Sequence, residues 1–376
     1  MNVLKLSSDL INFKSITPQS AGSLEYICQL LQKFKFECHL LEFGQTKVKN
    51  LYATLKKGNG PNVCFAGHTD VVPPGDLKDW RTDPFTPIVK EGILYGRGAS
   101  DMKTAIAAYI CSVKKFLDKT ESLNGTISFL LTADEEGDAD YGTKSVVEWL
   151  KKNNHKIDYC IVGEPTNPNS LGEMIKIGRR GSLNADLIVS GKQGHVAYPE
   201  KCENPIDQVP KICAVLNDKI DEGSKNFQPS KLVITSIDVE NQTTNLVPGK
   251  VKFKFNVRFN DNFKSKEIIK ILKERLDSVG CKYELSTKVS GESFFNYSEK
   301  LTKSIVDAVK KITNKEPELS TSGGTSDARF ISKLCPVIEF GIVGNTMHQV
   351  NENISVNDIE SLSAIYFEFM KNIFHQ

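Results

Sequence analysis

Residues 62–70 read Asn-Val-Cys-Phe-Ala-Gly-His-Thr-Asp, NVCFAGHTD. Val63–Ala66 is an apolar run with the composition of a buried strand, and it ends in a small residue followed by polar chemistry. Side chains two apart on a strand share a face, so His68 and Asp70 project together at its end and Thr69 turns away. An imidazole beside a carboxylate is a common metal-ligand geometry, in which the carboxylate orients the ring. Alone, His-x-Asp is more often a satisfied histidine at a strand end. Four further strand ends or turns reverse that balance, because each offers a carboxylate or an imidazole: Asp101, the pair Glu135 and Glu136, Glu164, and His348.

A chain of 376 residues is longer than one core usually serves, which points to two domains. Its formal net charge of +2 gives no reason to expect nucleic acid or an anionic membrane surface. Lysine greatly outnumbers arginine, so an arginine in a turn stands out. The nine cysteines show no metal-type pairing, as expected of reduced thiols in a cytoplasmic protein. The N-terminal MNVLKLSSDLINF lacks a long apolar core and a cleavage pattern, and no apolar run reaches membrane-spanning length.

Along the chain, helical spacing is expected over residues 3–14 and 21–35, then strands near 37–43 and 50–55 before the His68 strand. Residues 73–92, rich in Pro, Gly and Asp, read as a surface loop in which Trp80 is a lid or packing residue. Tyr95–Lys103, YGRGASDMK, crowds two glycines into a turn, and Asp101 opens a helical pattern running to about Leu117. An aspartate there can serve as an N-cap, while the glycines also permit close backbone approach to a metal. The strand at 126–131 ends in TADEEGD (132–138), and the strand at 158–163 delivers Glu164 ahead of Pro165, which fixes the turn. Acidic groups after apolar strands sit where open α/β sheets hold their ligands.

This alternation to about residue 178 predicts a mainly parallel or mixed α/β sheet. The rhythm then changes to a strand at 181–191, a helix at 204–220, strands at 232–239 and 251–259, a helix at 265–279 and a strand at 282–289. That is the ferredoxin-like order β-α-β-β-α-β. The first pattern resumes with a helix near 298–313, a glycine-rich turn at 322–327, a strand at 336–340, His348 and a last helix from 357. The expected division is therefore a first domain in two parts, 1–180 and 293–376, with an insertion at 181–292.

Of the six histidines, His68, His195 and His348 lie beside glycine-rich or acidic turns, while His39, His155 and His375 read as structural or surface residues. Two imidazoles and at least three carboxylates suffice for two cations sharing a bridging carboxylate. Nitrogen and oxygen donors without thiolate suit catalytic Zn²⁺, with Co²⁺ or Mn²⁺ compatible by geometry.

The motifs GHTDVVP (67–73), YGRGASDMKTA (95–105), LTADEEGDA (131–139), GEPT (163–166) and GRRGSL (178–183) together resemble the two-zinc deacylase and aminopeptidase family of metallohydrolases. The resemblance covers nearly the whole chain. It implies a mixed-sheet, zinc aminopeptidase-like catalytic domain carrying a ferredoxin-like dimerisation domain. Two Zn²⁺ per subunit are implied, with Co²⁺ a possible substitute. His68 and Glu164 match ligands of one ion, Glu136 and His348 ligands of the other, and Asp101 the bridge. Asp70 matches the partner of His68, and Glu135 the general base that moves a proton from water to the leaving amine.

GKQGHVAYP (191–199), GTSDARF (324–330) and MHQVNE (347–352) narrow the resemblance to members that cleave the amide of N-succinyl-LL-2,6-diaminopimelate. Acetylornithine or another N-acyl amino acid is the alternative substrate, and a non-catalytic binding protein on the same fold is the remote one. Carboxylates on such a substrate call for arginine forks, hydroxyls or backbone donors. Arg179, Ser182, Asn245, Arg258, Gly324 and Thr325 match substrate-contacting positions. His195 matches a histidine that reaches the partner's active site in a homodimer. Gly344-Asn345-Thr346-Met347-His348 departs from the family's usual Asn-Ala before Thr-x-His, and Asn345 is left unassigned.

Overall fold

The strand Asn62–His68 is buried along its whole length because it lies inside an eight-stranded mixed sheet. The computed structural model describes residues 1–120 and 123–374, so His375 lies outside the described residues. Across the sheet the strands run Glu37–Phe43, Val48–Lys56, Thr126–Thr132, Asn62–His68, Tyr159–Val162, Val337–Glu339, Met174–Lys176 and Glu318–Ser320. Thr126–Thr132, Asn62–His68, Tyr159–Val162 and Val337–Glu339 are mutually parallel, so their carboxyl ends open along one side. Strands covered on both faces read as continuous apolar runs rather than alternating ones, which is why VCFA carries no period.

One face of this sheet is closed by the helices Lys103–Lys119 and Val356–Phe374. Phe65, in the centre of its strand, stacks on Tyr109 with ring centroids 4.3 Å apart and meets Tyr366 edge-on at 5.8 Å. On the other face Tyr52, whose neighbours Leu51 and Ala53 point into the first core, packs edge-on against Trp149 of the helix Thr143–Lys152. His39 and His155 pack against the same Trp149, His155 stacked at 5.0 Å.

The chain divides into two compact units: Met1–Gly178 with Asn296–Ser320 and Ser326–Gln376, and Arg179–Phe295 with Thr321–Thr325. In the second unit the strands Gly181–Ser190, Lys231–Asp238, Lys250–Phe259 and Lys282–Gly291 form an antiparallel sheet. The helices Val209–Asn217 and Ser265–Val279 share its core through Ile212, Leu216, Ile268, Leu272 and Leu276. The spatial order 231–238, 250–259, 181–190, 282–291 is that of the ferredoxin-like motif. No helix of the described residues is long and apolar enough to cross a membrane.

Several elements differ from the sequence expectation for identifiable reasons. The helix expected over 204–220 begins as a 3-10 turn, Pro205–Gln208, and becomes α-helical only over Val209–Asn217, since Pro205 and Pro210 lack the N–H that a longer helix would need. The helix after Asp101 starts at Lys103, with Met102 at the cap position, so Asp101 is not an N-cap. The loop at 73–92 contains the turn Leu77–Asp79 and the strand Ile88–Lys90. Met174–Lys176 and Glu318–Ser320, three residues each, are too short to show a period.

Tyr366 donates to the Phe340 carbonyl at 2.6 Å, wholly buried. Tyr366→Phe leaves that carbonyl without its donor and should lower unfolding stability by about 1–3 kcal/mol, read as an earlier urea midpoint with an unchanged slope.

Candidate metal centre

Three neighbouring parallel strands end together, and each hands over to a residue with a ligand atom. His68 is the last residue of its strand and pairs in register with Thr132, from which the acidic turn departs. Thr69 N–H donates to the Thr132 carbonyl at 2.8 Å, tying the two exits. Gly163 N–H donates to the Ala66 carbonyl at 3.0 Å, and Glu164 follows at once.

Asp101 arrives from a different turn, and a tight fit seats it. Met102 is fully buried, and a Cβ built on Gly67 would meet its Cε at 2.3 Å, one on Gly163 at 2.7 Å. Glycine at both positions leaves the Met102 methyl where it is, and a side chain at either would have to push it aside.

The resulting geometry places one carboxylate between two imidazoles. His68 Nε2 is 3.1 Å from Asp101 Oδ1, and His348 Nε2 is 3.3 Å from Asp101 Oδ2. His348 Nε2 also lies 3.0 Å from Glu136 Oε1, while His68 Nε2 is 3.8 Å from Glu164 Oε1. Among the described residues, two groups have ligand atoms close enough to hold one ion: His68 with Glu135 and Glu164, and His68 with Asp101 and Glu136. His68 is buried. His348 is 50% exposed and has a left-handed backbone, φ +62°, which costs energy for a residue with a Cβ.

Asp70 holds the centre from behind. Its backbone carbonyl lies 2.9 Å from His68 Nδ1, and its carboxylate stands at 3.7 Å from the same nitrogen. The ring is therefore oriented mainly by the main chain of Asp70. Its Oδ2 instead accepts from the N–H groups of Glu135 and Glu136, each at 3.1 Å, which fixes the acidic turn. Within that turn Asp134 accepts from Ala139 and Tyr141 N–H groups, a structural task for one of the four acids.

The electrostatics are those of a site with surplus negative charge. Burial pulls the His68 imidazole down, but the hydrogen bond to Asp101 and the charges of Asp101, Glu164 and Asp70 carry it well above its usual value. Hydrogen bonds to Asp101 and Glu136 push His348 up to about 10 against a smaller burial effect. Burial and then Glu164 drive the Glu135 carboxyl well above the usual range, opposed by His68. Burial also raises Asp70 to about 6, opposed by His68. Against burial, the two histidines hold Asp101 well below the carboxylate norm. A cation does to carboxylates what these ring protons do here, and the all-nitrogen-and-oxygen donor set fits divalent metals.

The remaining expected residues belong to the second unit. Ser182 and Arg258 are direct cross-strand partners, and Arg179 Nη1 donates to the Ser322 carbonyl at 3.4 Å, in the segment that carries Gly324 and Thr325. A side chain at Gly324 would meet open space. Burial depresses Arg258, and the charges of Arg180 and Arg179 depress it further. Buried Arg258 Nη1 and Arg180 Nε have no hydrogen-bond partner among the described residues. His195 lies exposed on a two-residue strand, Gly194–His195, paired with Leu246–Val247, and Val196 N–H donates to the Asn245 carbonyl at 3.2 Å. The ribbon thus brings His195 and Asn245 together, which their sequence separation conceals. His195 Nδ1 accepts from Ala197 N–H at 3.1 Å, and Nε2 is left as the donor.

Two residues of the first unit were not singled out from sequence: Glu352, within MHQVNE, and Arg97, in the YGRG turn. They form a buried ion pair of 2.7 Å behind Asp101. An arginine in a glycine turn of a lysine-rich chain was the available signal. Trp80, expected as lid or packing, is a packing residue: it is buried, donates to the Pro74 carbonyl and lies over Arg97.

Comparison with known proteins places this geometry among relatives. Residues 64–372 match the sequence pattern of the family described as Peptidase family M20/M25/M40. The chain is 50% identical over 373 residues to the succinyl-diaminopimelate desuccinylase of Wolbachia pipientis wMel, covering 99% of this chain and 93% of that one. It is 48% identical over 386 residues to the succinyl-diaminopimelate desuccinylase of Pelagibacter ubique (strain HTCC1062), covering 99% of each. Its fold matches the crystal structure of an M20 family metallo-carboxypeptidase from Sulfolobus solfataricus with a TM-score of 0.82 at 19% identity, over 100% of both chains.

The two adjacent glutamates differ in their contacts. Glu136 touches His348, whereas Glu135 makes no side-chain hydrogen bond among the described residues. Glu136→Gln should lower the divalent cation held per chain, measured by elemental analysis after dialysis. Glu135→Gln should retain it while kcat falls about 10²- to 10⁴-fold. The opposite pattern would exchange the two roles.

Proposed function

The chain belongs to the M20/M25/M40 peptidase family, and from that premise we propose that it hydrolyses the amide bond of N-succinyl-LL-2,6-diaminopimelate to LL-2,6-diaminopimelate and succinate, a step of diaminopimelate and lysine biosynthesis. The observation that carries this reading is full-length identity near one half to succinyl-diaminopimelate desuccinylases, joined to a strand-end constellation of two imidazoles and four carboxylates.

Two Zn²⁺ per chain, with Co²⁺ as a substitute, suit this donor set: His68 and Glu164 for one, His348 and Glu136 for the other, and Asp101 between them. When bound, such ions lower the pKa of water and polarise a carbonyl oxygen. The chain's own residues do the rest. Asp70 holds the His68 ring and the acidic turn in place. Glu135, half-buried and with no side-chain hydrogen bond among the described residues, takes a proton from the attacking water and passes it to the leaving amine.

The substrate carries three carboxylates. Arg179, Arg258, Ser182, Asn245, Gly324 and Thr325 form the set that recognises them. Support comes from three clustered guanidiniums, two of which keep a buried N–H without a partner among the described residues. A cytoplasmic location belongs to the same proposal, since all nine cysteines are free thiols, as a reducing compartment leaves them.

A direct test compares succinyl-diaminopimelate with acetylornithine in a hydrolysis assay, with and without added Zn²⁺. The succinylated substrate should be turned over faster, and a chelator should abolish activity until Zn²⁺ is restored. Preference for acetylornithine would overturn the substrate, and full activity of metal-free protein would overturn the chemistry.

The proposal extends to a homodimer joined through the inserted unit, with His195 of each subunit donating its Nε2–H to the developing oxyanion in its partner's site. Exposed apolar side chains on that unit support it: Val196, Tyr198, Val233 and Ile237, with Tyr198 at 53%. Mixing His195→Ala subunits with Glu135→Ala subunits and allowing exchange should restore about a quarter of wild-type sites, because half the dimers are mixed and each has one intact pair. If exchange is verified and no activity returns, His195 does not act across the interface.

A further inference from the structure

Glu352 lies four residues after His348, and its side chain is 1% exposed. It makes no hydrogen bond or ion pair with either site histidine among the described residues. Its Oε1 accepts from the backbone N–H groups of Ser100 at 2.7 Å and Asp101 at 3.0 Å. Its Oε2 accepts from the Gly98 N–H at 3.0 Å and from Arg97 Nη1 at 2.7 Å. Each oxygen thus accepts two hydrogen bonds, and the carboxylate has no capacity left.

Arg97, 2% exposed, is the counter-charge and a second tie. Its Nη1 also donates to the Gln349 carbonyl at 3.2 Å, and Nη2 to the Pro73 carbonyl at 3.4 Å, while the guanidinium lies 5.2 Å from the Trp80 ring centre. The backbone runs in the same direction. Gly96 N–H donates to the Glu352 carbonyl at 3.0 Å, and the strand Asn353–Ser355 pairs antiparallel with Ile93–Tyr95. Two turns distant in sequence, 96–102 and 344–352, are therefore one fastened unit. The first delivers Asp101 and the second His348, the half-exposed ligand candidate with a left-handed backbone.

We infer that Glu352 and Arg97 are positioning residues that lock the Asp101 turn to the His348 turn, so that the two side chains keep the spacing a shared cation requires. The inference rests on the metal reading above and adds the device that holds it. A carboxylate is needed because three backbone N–H groups and a guanidinium converge on it. A glutamine amide would turn its NH₂ toward two of those donors, so one side of the clamp would have to open and Asp101 or Arg97 would shift with it.

The test is a zinc titration of the full-length chain, stripped by chelator and followed with a chromophoric competitor. Wild type, Glu352→Gln, Arg97→Lys and the remote core variant Tyr366→Phe are compared. Wild type should take up two ions. Glu352→Gln should weaken one of them about 10- to 100-fold, the usual cost of losing an outer partner of a ligand. Its kcat should fall while KM for the succinylated substrate holds. Arg97→Lys keeps the charge but loses the fork, so it should weaken the same ion to a smaller degree. Tyr366→Phe should lose stability and leave both affinities alone.

If Glu352→Gln is folded and binds both ions as wild type does, the clamp is refuted and the metal reading stands. Equal losses in Tyr366→Phe would tie affinity to global stability and refute it too. Should Glu352→Gln fail to fold, Arg97→Lys decides: unaltered affinity overturns the inference. Wild type that binds no zinc overturns both readings.

Discussion

Carboxylates repel one another, and the first unit is built so that Asp101, Glu135, Glu136 and Glu164 nevertheless meet. Two like charges about 4 Å apart cost about 4 kcal/mol at an effective dielectric near 20. Only two imidazoles stand among them, and the raised proton affinities of His68 and His348 record the imbalance. Such a cluster persists only if the scaffold prevents the acids from turning away and if positive charge completes it. The parallel strands supply the first condition through their ends, where the directions of exit are fixed by the ladder. The donor set implies the second.

The support around the cluster is mostly main chain. Asp70 grips the N–H groups of Glu135 and Glu136, Glu352 grips those of Gly98, Ser100 and Asp101, and Met102 sits against Gly67 and Gly163. Buried Lys103 joins in by donating to the Phe13 carbonyl at 2.8 Å, and burial brings its ammonium down to about 7. These charged groups fix the turns through the backbone. A metal-dependent hydrolase needs rigid turns of this kind to present its ligand atoms.

The parts of this site legible in the sequence are those with local chemistry. VCFAGHTD shows a strand ending in a ligand pair, TADEEGD a charged exit, and GEPT a carboxylate set by proline. The insertion was legible because its β-α-β-β-α-β rhythm breaks the first pattern. What sequence hides is partnership over distance. Glu352 looks like a loop acid until it is found buried against a turn some 250 positions away, as the separation of 251 from Asp101 shows. Asn245 looks like filler until the ribbon sets it beside His195. The short strands Met174–Lys176 and Glu318–Ser320 offer no period, and proline alone marks the shortened helix at Val209–Asn217.

The proposal turns on Asp101, which has one carboxylate oxygen toward His68 and the other toward His348, being shared by two cations. Anomalous diffraction at the zinc edge from crystals grown with Zn²⁺ tests it directly. The account predicts two peaks per chain, about 3.5–4 Å apart, each touching a different Asp101 oxygen, one beside His68 and Glu164 and the other beside His348 and Glu136. A single peak, or two peaks of which one is out of reach of Asp101, would contradict it.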